Sequence, residues 1–216
     1  DADNPSQDIS YQPAGFWVTI DGSTWGPLIS TTTDALGNFT IDFDPDCTYS
    51  VGRQKWKGGL LSNPYWKEAN STEFNVTITS QFKAYITKPI GEIFLRGVDD
   101  IPLKGNLTDK AGCGGVAGGS VSFFTDTGYE CVASDLGDGN YTCTIPAATA
   151  GAWSYGWHSL TINATREYYT GENASVAHAF YLADDPSLDN PSVDPTSGPW
   201  GTTFNFTITL TDLDPD

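Results

Sequence analysis

The 216 residues carry 27 Asp+Glu against 10 Lys+Arg, a formal charge of -17, with 38% hydrophobic and 13% aromatic residues. That composition supplies packed cores and excludes a disordered chain, while the charge excludes nucleic acid, which needs a basic footprint, and disfavours anionic membranes. No apolar run approaches the roughly 18 residues of a membrane span, no signal peptide is present and methionine is absent, so the chain reads as a mature or excised piece of a longer protein.

Short alternating runs separated by Gly, Pro, Asn and Asp predict an all-β chain with sandwich-like strand spacing and no long helix. The first predicted domain spans 1–80, with strands near F-W-V-T-I, N-F-T-I-D-F, Y-S-V-G-R-Q-K-W and E-F-N-V-T-I. The second spans 81–183, with strands near K-A-Y-I-T, I-P-L-K-G-N-L-T, G-S-V-S-F-F-T, E-C-V-A-S, N-Y-T-C-T-I, H-S-L-T-I-N-A-T and A-H-A-F-Y-L. In 184–216 a proline-rich linker, expected to be extended and outside regular structure, leads to a lone strand from Thr203 to about Leu210.

Eight N-x-Ser/Thr sequons lie at Asn38, Asn70, Asn75, Asn106, Asn140, Asn163, Asn173 and Asn205. Each is a candidate N-glycan acceptor and implies a secretory route. Their phase adds weight. In F-N-V-T-I, Phe74, Val76 and Ile78 share one face of a strand, and Asn75 and Thr77 share the other. The same alternation sets Asn163 against Leu160 and Ile162, and Asn205 against Phe204, Phe206, Ile208 and Leu210. Thr and Asn also decorate solvent faces of strands without any sugar.

Four cysteines fit two disulfides in an oxidising exterior and allow three pairings. Cys131 and Cys143 flank D-L-G-D-G-N, and a hairpin there brings them together across neighbouring strands. Cys47 and Cys113 then remain, and their bridge ties the first domain to the second. Structural zinc lacks its C-x-x-C spacing.

Internal similarity predicts repetition. A-D-N-P-S-Q-D at the start matches A-D-D-P-S-L-D from Ala183, and N-F-T-I-D-F-D-P-D from Asn38 matches N-F-T-I-T-L-T-D-L-D-P-D from Asn205. On these residues a family likeness rests. G-N-F-T-I-D-F followed by Y-S-V-G-R-Q-K-W-K-G-G resembles the closing half of bacterial-type immunoglobulin-like domains. L-T-D, G-G-S-V-S-F-F and D-G-N-Y-T-C-T-I resemble an invasin-type member of that class. The likeness implies tandem immunoglobulin-like β-sandwich domains of a surface-layer or adhesin protein. The sequons and acidity resemble archaeal surface proteins in particular. The disulfides depart from many such repeats.

Acidic clusters are the candidate metal sites: Asp42, Asp44 and Asp46 in D-F-D-P-D, Asp135 and Asp138 in D-L-G-D-G-N, and Asp212, Asp214 and Asp216 in D-L-D-P-D. Carboxylates two apart on a loop can converge on Ca²⁺, but Asp also favours tight turns. No other cofactor is implied. Trp66, Trp153, Trp157 and Trp200 lie near Gly/Pro-rich loops, where they either stack on sugars or pack in cores. Nothing converges on a reaction: His158 and His178 have no partner motif, and A-G-C-G-G-V-A-G-G around Cys113 lacks the Lys-Ser/Thr of a phosphate cradle. The sequence therefore predicts a non-enzymatic, extracellular structural glycoprotein, a module of a cell-surface array or filament, with an adhesin that binds glycans or another cell as the alternative. Its predicted partners are further copies or neighbouring modules, and glycans in the adhesin reading; Thr203–Leu210 is either the first strand of a further module or a donor strand that joins copies by strand addition.

Overall fold

The computed structural model describes residues 9–184 and 186–212. It divides into two compact units. The first comprises 9–81 with Arg166–Thr170, and the second 82–165 with the described residues from Gly171 onward. The C-terminal segment 186–212 groups with the second unit, and Arg166–Thr170 with the first, although Tyr169 and Thr170 begin a strand of the second unit's sheet.

The first unit is built on one five-stranded sheet. β1 (Pro13–Val18) pairs with β2 (Ile29–Thr32) on one edge and β3 (Gly52–Leu60) on the other; β4 (Ala69–Asn70) and β5 (Phe74–Ile78) share the far edge of β3. Register fixes two faces. Val18 opposes Trp56, which opposes Phe74, and Gln54 opposes Val76, all on one face. Trp17 opposes Lys57, and Lys55 opposes Asn75, on the other. The second layer is a single extended segment. Phe39, Ile41 and Phe43 alternate inward, but N-F-T-I-D-F forms no ladder, contrary to the predicted strand. Its inward side chains are held by contacts such as Phe16–Phe39, with ring centroids 5.0 Å apart. Gly58 permits this approach, since a Cβ there would lie 3.1 Å from Phe16 and 3.2 Å from Phe39.

The second unit is a full sandwich of two five-stranded sheets. One has the order β10–β9–β13–β15–β7, from β7 (Glu92–Leu95), β9 (Ser120–Thr125), β10 (Glu130–Val132), β13 (Gly156–Thr165) and β15 (Ala174–Ala183). The other has the order β11–β12–β8–β6–β14, from β6 (Ser80–Lys88), β8 (Ile101–Asp109), β11 (Ser134–Gly137), β12 (Asn140–Ile145) and β14 (Tyr169–Glu172). A single helical turn, α1 (Ala147–Ala150), links β12 toward β13. Leu103, Leu107, Tyr141 and Ile145 meet Phe123, Leu160, Ile162 and Phe180 between the sheets, all fully buried. Gly105 lets the opposite sheet close in: a Cβ there would sit 2.7 Å from Ile162 and 3.1 Å from Phe123.

Cys131 of β10 is bonded to Cys143 of β12, 12 residues apart, so this disulfide staples one sheet to the other. The predicted geometry differs. The D-L-G-D-G-N hairpin joins β11 to β12, whereas E-C-V-A-S divides between β10 in one sheet and β11 in the other. Tyr141, two residues before Cys143, donates its hydroxyl to the Val116 carbonyl and accepts from the Gly119 amide, both at 2.9 Å. These two bonds tie β12 to the loop that precedes β9.

The C-terminal strand has a partner. β16 (Pro186–Asp194) and β17 (Asn205–Asp212) form an antiparallel two-stranded ribbon, so neither the unstructured linker nor the lone strand stands. The prolines are tolerated for local reasons. Pro186 opens the strand, and Pro191 falls at the register shift between Asp189 and Ser192, next to Asn190 at φ 52°. First positions, bulges and edges are where a missing N–H costs no ladder bond.

Candidate interaction surfaces

The two units differ sharply in how their apolar faces are used. Among the described residues, 19 apolar side chains are buried, and only Ala14 and Val18 belong to the first unit. Its inner face is open instead. A groove of about 400 Å³ runs between the sheet and the extended segment, lined by Phe16, Val18, Phe39, Ile41, Trp56 and Val76 among others. Trp56 stacks on Phe74 at 5.1 Å, and Phe74 is itself exposed. The largest buried polar side chain of this unit is well satisfied. Gln54, 1% exposed, accepts from the Thr19 hydroxyl at 2.9 Å and the Gly22 amide at 2.6 Å, and donates to the Ser50 carbonyl at 2.7 Å. The groove is thus chemically apolar, with its polar groups internally bonded.

The ribbon is amphipathic by register. Leu188 opposes Leu210 and Val193 opposes Phe206, so these four share a face with Ile208. Ser187, Asp189, Ser192 and Asp194 oppose Thr211, Thr209, Thr207 and Asn205 on the other face. The apolar face is uncovered: Phe206 is 79% exposed, Leu210 68% and Leu188 64%. A two-stranded hairpin is marginal alone in water and needs a layer against such a face.

Of the sequon asparagines, Asn38, Asn70, Asn75, Asn140, Asn163, Asn173 and Asn205 are exposed, and Asn106 is half-buried. Asn75 lies on the outer face of the first sheet and Asn205 on the polar face of the ribbon, each opposite the apolar face just described.

The acidic clusters do not converge. Asp42, Asp44 and Asp46 are exposed. The Thr48 hydroxyl and amide donate to Asp46 and hold its carboxyl below the usual range. Asp135 receives the Gly118 and Gly137 amides, and Asp138 takes φ 50° in the β11–β12 turn. Among the described residues no three His, Cys, Asp or Glu groups come together as a metal site. Asp214, Asp216 and the side chain of Asp212 lie outside the described residues. None of the four cysteines is free, and Cys47 and Cys113 are disulfide-bonded.

None of the seven tryptophans is fully buried. Trp66 and Trp153 are partly buried, and Trp153 packs against Tyr129, His158 and Phe180. Trp157 and Trp200 are exposed; Trp157 meets Tyr181 and His178 at 5.4 Å. On the first unit, Lys57 lies over both Trp17 and Trp25, at 5.4 and 4.9 Å from their ring centres. His158, the buried histidine, is structural: its ring lies between Asp126 and the Ser154 carbonyl and stacks on Phe180.

No family model matches this sequence, and no curated protein matches it. Solved structures do resemble it in fold. Four tandem repeats from the extending region of a large adhesion protein are 10% identical, with a TM-score of 0.47 over 97% of this chain and 58% of that one. Invasin, a bacterial integrin-binding protein, is 12% identical, with a TM-score of 0.40 over 94% of this chain and 48% of that one. Domains 4–9 of the surface layer protein SbsC are 14% identical, with a TM-score of 0.34 over 76% and 24%. The chain is an all-β protein, and the solved structures similar to it include adhesin repeats and surface-layer domains. It spans about half the length of the first two.

Proposed function

We propose that this chain is a module of an extracellular structural glycoprotein, part of a cell-surface array or filament of the acidic, sequon-rich archaeal kind. The observation that carries this reading is the placement of the sequons. Seven of the eight asparagines are exposed, and three of them, Asn75, Asn163 and Asn205, lie on strands whose opposite faces are apolar. Glycans there shield the exterior and leave the packing faces free. The bonded cysteines fit an oxidising exterior. The role in this reading is mechanical: a packed sandwich and a disulfide between its sheets hold the module's shape. Glycopeptide mass mapping of the native protein, with protease shaving of intact cells, tests this. Occupied sequons on a shaved fragment are expected. Unmodified sequons throughout, in protein recovered from inside cells, would refute it.

The adhesin reading is favoured by one patch, where Trp157, Tyr181 and His178 cluster on the outer face of β13 and β15. Aromatic faces stack on sugar rings. Trp157→Ala should abolish glycan or cell binding if this patch is an adhesive site, and leave fold and surface location unchanged.

A further inference from the structure

We propose that the β16–β17 ribbon of a second copy of this chain docks its apolar face over the open groove of the first unit and completes that unit's sandwich. The inference rests on the array reading above and names the contact that would build the array.

Both surfaces lack a layer. The first unit has one sheet whose inner face, among the described residues, is covered only by the extended segment at Phe39–Phe43, with a groove of about 400 Å³ beside it. The ribbon has two strands and an apolar face with no cover among the described residues. A sheet with one apolar face must bury it against another layer, and two such faces stacked about 10 Å apart make a sandwich.

Three observations select a second copy as the occupant. The first is sequence. The segment already lying on the first unit's inner face is N-F-T-I-D-F, and β17 reads N-F-T-I-T-L. Phe206, Ile208 and Leu210 thus repeat the alternation of Phe39, Ile41 and Phe43, the side chains this sheet already accepts. The second is area. Leu188, Val193, Phe206, Ile208 and Leu210 offer roughly 500–600 Å² of apolar surface, so docking hides on the order of 1,100 Å² over both partners. That reaches the lower bound of a specific interface. The third is sequon phase: Asn75 and Asn205 both point away from the faces that would meet, so glycans do not block the contact. Groove and ribbon are different surfaces, so the contact is heterologous, and it propagates into an open chain unless two copies close on each other.

The contact is apolar and joins copies that each carry -17, so added salt should strengthen it by screening repulsion. Sedimentation velocity of the full chain in 0.5 M NaCl should show assembly that falls away in low salt. Ile208→Asp on the ribbon and Val76→Arg in the groove should each weaken assembly by about a hundredfold or more, because each buries an unpaired charge. Thr207→Asp, on the polar face of the same strand, should not. Mixing the Ile208→Asp and Val76→Arg chains is decisive. Each retains the surface that the other has lost, so the mixture should form dimers and stop there. A wild-type chain that stays monomeric at high salt, a mixture that stays monomeric, or Thr207→Asp acting like Ile208→Asp would each overturn the proposal. So would finding the ribbon face covered by a further segment of a longer chain. Occupied sequons on a chain that never assembles would leave the surface-glycoprotein reading standing and remove only this contact.

Discussion

Asn106 and Asn140 stand directly opposite each other on the adjacent antiparallel strands β8 and β12. Both head sequons, yet directly opposed Cβ atoms lie only about 4.5–5.5 Å apart, too close for two glycan stems. Their surroundings also differ. Asn106 is half-buried with Tyr85 on its other side, and its amide oxygen is enclosed without a hydrogen-bond partner. Asn140 is exposed at the turn end of β12. Site-resolved glycopeptide mapping should find sugar on Asn140 and little or none on Asn106. Equal occupancy of both on single molecules would contradict the opposition.

The Cys131–Cys143 bridge crosses between the sheets of the second unit, closing a loop of 12 residues. Replacing both cysteines by Ala should cost about 2–4 kcal/mol, chiefly by freeing the unfolded chain. Urea melts of the second unit, followed by Trp153 fluorescence, measure it. A change under about 0.5 kcal/mol would mean the packing alone holds the sheets together.

Gln54→Leu should destabilise the first unit by about 2–4 kcal/mol despite adding an apolar side chain to the core. It strands the Gly22 amide, the Ser50 carbonyl and the Thr19 hydroxyl together. Thr19→Val in the same background should cost less than it does alone, since the hydroxyl's partner is already gone. Amide exchange at Gly22 and Lys55 gives the local readout.

Asp21 accepts the Thr24 amide, the Ser23 amide and the Ser23 hydroxyl in a tight turn. These bonds, the Thr24 amide first, favour the charged form and hold its carboxyl far below the usual carboxylate range. A depressed folded pKa contributes stability that is fully present above the unfolded value near 4 and lost as pH falls through the folded value. The turn should therefore hold from neutral pH to well below pH 4. NMR titration of the Asp21 carboxyl should show no midpoint near 4. Asp21→Ala should shift the Ser23 and Thr24 amides at every pH.

The all-β class was legible because apolar residues alternate with period 2 in F-N-V-T-I, S-L-T-I-N-A-T and F-N-F-T-I-T-L, and the structure keeps those phases. The partner of β17 was hidden by Pro186 and Pro191. Prolines argue against a strand by default; the first position accommodates Pro186 and the bulge at Asn190 accommodates Pro191. N-F-T-I-D-F has the right alternation but no partner strand, and alternation cannot report hydrogen bonding. The sheet assignment of Cys131 was hidden because Ala133 separates two very short strands that enter different sheets. The open groove had no local signal at all: it depends on which strands are absent opposite Phe16 and Trp56.

The unequal cores have a mechanical consequence. Residues 9–81 are held by one sheet and two fully buried apolar side chains, while the second unit is stapled between its layers. A load passed along the chain acts equally on both, and the less-buried fold yields first. If that unit gives way, its 73 residues can lengthen to roughly 250 Å before backbone tension rises. Each copy thus carries a compliant element beside a stiff one. Covering the groove would turn the compliant element rigid, so the stretch of a fibre would depend on how many of its grooves are filled.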